Sequence, residues 1–289
     1  MWRAPSASTS RAGSVGAMLD DIASPLDLQD ATLGPVAVSV TADRIAFYVD
    51  ATGDVGDRWE SEAPPGFASV LLFAVADLFL HHPRVVPFTA TLLHVDQSFS
   101  YLAPIRAGTT ITMGGTITRV RERAGSYFVT FDAEGRDGPE VVITSTSTFV
   151  LSDQRAPAPE VEFTEPAARI KAGDSGSERS ASRHDLVRYA AATRDFNPLH
   201  WDHDTAIDSG LPGTVVHGLL MYAWMMQAVT DTCDGAPIVA AKVRFRSALH
   251  PGQQATTVVE PRDGGASVSL TRDGVPLVTG TATVAPAQE

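Results

Sequence analysis

Two stretches of the chain, residues 67–80 and 218–230, are apolar almost all the way round at helical length, the second running Leu219-Leu-Met-Tyr-Ala-Trp-Met-Met226. A helix without a polar stripe has to be enclosed by other structure. Each is preceded by a shorter helical segment (43–51; 184–192) and followed by runs in which apolar and polar residues alternate: 91–101, 109–122, 126–134 and 140–151, with counterparts within 238–284. Alternation of period two marks strands with one buried face. Asp137-Gly138 and Asp273-Gly274 are dipeptides suited to tight hairpins. The predicted class is α+β, with two antiparallel sheets, each wrapped around a central helix.

The halves also repeat in sequence. The segment from Asp43 to Asp54 aligns without gaps on His184 to Asp195, 141 positions later, with Tyr48/Tyr189, Ala51/Ala192, Thr52/Thr193 and Asp54/Asp195 identical. A domain-sized repeat implies duplication. The organisation read from it is a flexible tail (1–35), an N-terminal domain (36–151), a linker rich in Pro, Gly and Ser (152–181) and a C-terminal domain (182–286).

Composition narrows the function classes. With 34 acidic against 22 basic side chains, the net charge of −12 repels a phosphate backbone, which excludes nucleic acid as the expected partner. The apolar run 70–80 is interrupted by Asp77 and is far short of the roughly 20 residues a membrane span needs. The opening residues lack the apolar core of a secretion signal, and a lone Cys233 excludes an internal disulfide. A cytoplasmic protein is expected.

The chemistry concentrates in Thr193-Arg-Asp-Phe-Asn-Pro-Leu-His-Trp-Asp202 and in Val215-Val-His-Gly-Leu219, which opens the second apolar helix. Asp-x-Asn-Pro is also ordinary turn chemistry. The spacing of Asp195, Asn197 and His200, followed by His217-Gly218, resembles the hydratase motif of MaoC-like, (R)-specific enoyl-thioester hydratases and 3-hydroxyacyl dehydratases in their fused, double-hotdog form. The first half, including Leu92-Leu-His-Val-Asp-Gln-Ser-Phe-Ser-Tyr101, resembles the degenerate N-terminal domain of such fusions. Arg194 departs from the pattern, since many relatives carry glycine there.

The resemblance implies reversible hydration of a trans-2-enoyl thioester of coenzyme A or acyl carrier protein. Asp195 and His200 would hold the water, Asn197 would orient it, and the Gly218 N–H would stabilise the enolate-like oxygen. No cofactor and no metal is implied. The cluster His200, Asp202, His203, Asp204 has metal-ligand residue types, but acidic residues in a first helical turn explain it equally. In the N-terminal copy Gly56 and Trp59 replace the Asn and His, and the loop between Asp54 and Gly66 is shorter, so that half is expected to be a structural partner that leaves room for the acyl chain. His217 and the stripe Lys242, Arg244, Arg246 are candidate substrate contacts, the stripe for coenzyme phosphates or an acidic carrier protein; a solvated strand face explains the stripe as well. A thioesterase and a non-catalytic acyl-thioester binder share the fold. A fused pair fits a monomer or a homodimer.

Overall fold

The computed structural model describes residues 24–155 and 178–286. Among them the first half contains β1 (Thr32–Ser39), α1 (Ala42–Thr52), α2 (Ala68–Leu80), β2 (Thr91–Tyr101), β3 (Thr110–Arg123), β4 (Ser126–Asp137) and β5 (Glu140–Ser152). The second contains β6 (Glu178–Arg179), α3 (Arg183–Thr193), α4 (His203–Asp208), α5 (Gly218–Thr232), β7 (Ile238–Phe245), β8 (Ala255–Arg262), β9 (Gly265–Arg272) and β10 (Val275–Val284). The expected elements are present to within a few residues.

Two segments behave differently from their reading. β1 begins inside the stretch taken as tail, and β6 lies inside the stretch taken as linker; residues 1–23 and 156–177 of those stretches lie outside the described residues. Alternation in β1 is broken by Gly34-Pro35, where its pairing with β3 shifts register between Leu33 and Val36. Proline donates no ladder hydrogen bond, and β1 tolerates it because it is the outermost strand.

Each half wraps its own helix, and the two sheets join edge to edge into one ten-stranded antiparallel sheet in the order β1-β3-β4-β5-β2-β7-β10-β9-β8-β6. α2 lies on the inner face of the first half, with Val75 and Phe79 fully buried and Phe79 stacked on Phe131 of β4 at 5.9 Å. α5 lies on the second, burying Leu220, Trp224 and Met225 against β8, β9 and β10. Enclosure of most of each helix, Leu78 of α2 and the last residues of α5 being exposed, explains why neither carries a polar stripe. The repeated short helices α1 and α3 meet, bringing the equivalent rings of Tyr48 and Tyr189 to 6.2 Å.

The seam between the halves positions the site. β2 pairs with β7 from Ser100/Ala240 to Asp96/Arg244, where the Asp96 carboxylate accepts from Arg244 Nε at 2.8 Å and Nη2 at 2.9 Å. Beyond that rung the two strands part. At the same point the pairing of β2 with β5 shifts register between His94 and Asp96. The sheet is therefore split next to His94 and Phe245.

Candidate active site

α3 ends at Arg194, whose φ of 70° and ψ of 15° are left-handed, and Gly53 takes the same conformation at the end of α1. The glycine-favoured geometry thus persists without the glycine, at a cost of roughly 1–2 kcal/mol. It turns the chain so that Asp195 enters the interior, where the residue is 8% exposed. Thr193 Oγ1 accepts from the Asp195 N–H at 3.2 Å, and Asn197 Oδ1 accepts from the Leu199 N–H at 3.2 Å, closing the short turn Pro198–His200. Turn chemistry and candidate chemistry coincide here: the Asn-Pro turn is the device that brings His200 back over Asp195.

The returning leg of the loop locks both residues. His200 Nδ1 lies 2.8 Å from the Val215 carbonyl, and the Val215 N–H donates to the Leu199 carbonyl at 3.1 Å. A carbonyl only accepts, so Nδ1 of His200 carries a proton and a neutral ring leaves Nε2 with its lone pair. His217 is fully buried, stacks on His200 at 3.7 Å and 22°, and donates from Nε2 to the Asp195 carbonyl at 3.2 Å. It touches both candidate catalytic residues from behind.

Asp195, His200 and His217 each present a nitrogen or oxygen within 4.8 Å of the others. One water molecule can bridge acceptors at that spacing. Burial pushes the Asp195 carboxyl up from the ordinary range; the neighbouring His200 and the Asn197 N–H, 3.5 Å from Oδ1, pull the other way. Burial holds His217 well below the usual histidine value, and His200 adds to the effect. Among the described residues the same three form the group with metal-ligand spacing, with their two rings stacked face to face at 3.7 Å. The sequence cluster of His200, Asp202, His203 and Asp204 is not a ligand set: Asp202 caps α4 by accepting from the Thr205 N–H at 3.2 Å, and Asp204 lies in its first turn.

α5 begins at Gly218 with no side-chain cap; the Leu220 and Met221 N–H groups go to the His217 carbonyl, which leaves those of Gly218 and Leu219 and the positive end of the dipole to face a ligand. A Cβ on Gly218 would lie 3.1 Å from the Phe245 ring, and glycine there lets that ring close over the helix end. These groups open into a cavity of about 320 Å³ between the halves. Asp195, Asn197, His200, Gly218 and Arg246 line it from the second half; Phe73, Leu80, Leu92, His94 and Phe149 line it from the first. A larger cleft of about 640 Å³ on the outer face of the first half, lined by residues such as Thr112, Asp132 and Glu134, brings together no comparable acid/base pair among the described residues.

The predicted site residues therefore divide. Asp195, Asn197, His200 and Gly218 come together on one wall, and Arg246 joins them at the rim. His217 is absent from the cavity wall and acts through its neighbours. Lys242 and Arg244 are exposed on the outer face of β7, Arg244 engaged with Asp96, and neither lines the cavity. The first-half wall was not identified from sequence beyond the general expectation of room for a chain. In that half, Trp59 donates from Nε1 to Asp54 Oδ2 at 3.0 Å, and the space around the pair holds no room for a water.

Residues 164–275 match the MaoC like domain, and residues 31–145 match a FAS1-like dehydratase domain region. The chain is similar to a mitochondrial 3-hydroxyacyl-[acyl-carrier-protein] dehydratase of Arabidopsis thaliana, 32% identical over 92 residues, which is 32% of this chain and 55% of that protein. It is similar to the enoyl-CoA hydratase ChsH3 of Mycobacterium tuberculosis, 31% identical over 93 residues, 30% of this chain and 32% of that one. The matches thus span about half or less of these two relatives. A solved MaoC-like dehydratase superposes with a TM-score of 0.73 at 20% identity, covering 91% of this chain and all of that chain. Fold, duplicated halves and matched domains converge: the chain carries a MaoC like domain over residues 164–275 and a FAS1-like dehydratase domain region over residues 31–145, on a double-hotdog fold.

Proposed function

We propose that the chain catalyses reversible hydration of a trans-2-enoyl thioester to the (R)-3-hydroxyacyl thioester, with coenzyme A or an acyl carrier protein as the handle. The observation that carries this reading is the pairing of a buried Asp195 carboxyl with the free Nε2 of His200 at the wall of a mostly apolar cavity. Together they accept from one water. As its oxygen bonds to C3, the pair takes one water proton and returns one to C2, so no proton is gained or lost. The thioester oxygen becomes enolate-like, and the Gly218 N–H at the start of α5 meets that charge. Asn197 holds the turn between the two groups.

The N-terminal half supplies cavity wall and no second reaction centre, because its Asp54 is already satisfied by Trp59. The domain limits follow the two halves, and the cytoplasmic location and the monomer or homodimer state belong to the same proposal. No described helix is long and apolar enough to cross a membrane.

The test is the ultraviolet absorbance of enoyl coenzyme A esters on adding the protein, beside His200→Ala, with a free-thiol assay in parallel. The reading expects loss of the enoyl band without thiol release, and a fall of roughly 10²–10⁴-fold in the variant. Thiol release would establish a thioesterase in its place, and a His200→Ala variant as fast as the parent would remove the assigned base.

A further inference from the structure

Within the first-half wall of the cavity one polar side chain, His94, stands among Phe73, Leu80, Leu92 and Phe149. Its ring packs between Phe149 at 4.6 Å and Phe245 at 5.1 Å. Nε2 is buried and has no hydrogen-bond partner. The ring's other hydrogen bonding is to Gln97 and the Asp96 backbone, and leaving Nε2 unpaired costs about 1–3 kcal/mol. The register shift of β2 falls between His94 and Asp96, and bulges commonly re-aim a side chain beside a site. Burial also pushes the imidazole down to about 4, so it stays neutral near pH 7 and offers hydrogen bonding without charge.

Position decides which part of a ligand it would meet. Phe245 lies between His94 and Gly218, where the thioester oxygen is placed in the proposed reaction. Arg246, Ser247 and Ala248 form the exposed rim, where a coenzyme arm has to leave. His94 lines the cavity away from that rim, and its Nε2 is covered in this structure, so a ligand oxygen meets it once the imidazole or the Phe245 ring packed on it moves.

We infer that His94 is a specificity-determining residue, hydrogen-bonding through Nε2 to a neutral oxygen, a hydroxyl or ketone, carried on the acyl chain beyond the reacting carbons. The inference rests on the proposed hydratase reading. A carboxylate-bearing chain would find no cation from this wall, and a plain alkyl chain would leave Nε2 unpaired.

The experiment compares kcat/KM for trans-2-enoyl coenzyme A esters of equal length, plain or carrying a hydroxyl or keto group at successive positions, with the parent, His94→Phe and His94→Gln. The expected result is a preference of the parent for one oxygenated position, a roughly tenfold or greater fall of that preference in His94→Phe, and its partial recovery in His94→Gln. A parent that favours plain chains overturns the inference. So does an equal loss for every ester in His94→Phe, which would place His94 on the shared coenzyme arm or in a purely structural role. If the parent turns over no ester, the reaction itself is refuted; binding of saturated plain and oxygenated esters by calorimetry then decides His94 separately, and equal affinities overturn it.

Discussion

Replacing Asp195 by Asn changes one oxygen to an amide and should move activity and stability in opposite directions. The carboxyl is buried, and the hydrogen bond described for it is a long one, 3.5 Å from the Asn197 N–H, which an amide oxygen can also accept. Almost nothing that holds the loop is lost, while the site loses one of the two groups that can take or return a proton. Turnover should fall by roughly 10²–10⁴-fold, the usual worth of a general acid or base. Stability follows the sign of the shift. A carboxyl raised in the folded state contributes stability that is fully present below its unfolded value near 3.9 and is lost as pH rises through the folded value. Toward pH 8 the parent loses that contribution, whereas the Asp195→Asn variant has no group there to titrate. The variant should be more stable there by on the order of 1 kcal/mol, a Tm rise of about 2–4 °C, and the gap should close toward pH 4. Calorimetric melts at the two pH values measure it. A variant less stable than the parent at pH 8 would show that the charge is held by interactions strong enough to outweigh its burial.

Other outcomes follow from neighbouring groups. Arg194→Gly relieves the left-handed strain and removes a charge close to Arg44; it should raise Tm by about 2–4 °C with kcat within twofold, measured by melts and the enoyl assay. His217, depressed in the folded state, stabilises above about pH 6.5 and loses that contribution as pH falls; His217→Gln should flatten the acid side of the Tm profile and lower kcat more than it changes KM. Trp59→Phe removes the donor to Asp54 and should cost about 1–3 kcal/mol in urea denaturation while turnover stays within twofold. A loss of turnover like that of His200→Ala would return the first half to the chemistry.

Much of this was legible from residue pattern. Two all-apolar helices, a repeat of the Tyr-Ala-Thr-Asp positions and the Asp-x-Asn-Pro-x-His spacing led to the enclosed helices, the duplicated halves and the clustered wall. What stayed hidden depends on contacts between distant segments. The left-handed conformation at Arg194 is set by the close of α3 and the burial of Asp195, which override the residue's own preference. His217 reads as a candidate substrate contact until the loop folds back and stacks it beneath His200. β1 was lost at Gly34-Pro35 because its hydrogen bonding, supplied by β3 more than seventy residues later, is invisible locally. The role of His94 depends on where β2 parts from β7, and no local pattern marks that point. Lys242 and Arg244 lie on one strand face as alternation requires, and that face is the outer one.

The filled pocket at Asp54 and Trp59 has a consequence for stoichiometry. A pair of identical hotdogs would load two acyl chains facing opposite ways, and each occupant would feel the other through the shared seam. On the proposed reading, the space that would be the second berth is filled beside Asp54 by the protein's own Trp59 indole. Titration with a tight, unreactive thioester should saturate at one equivalent per polypeptide, without cooperativity inside the chain.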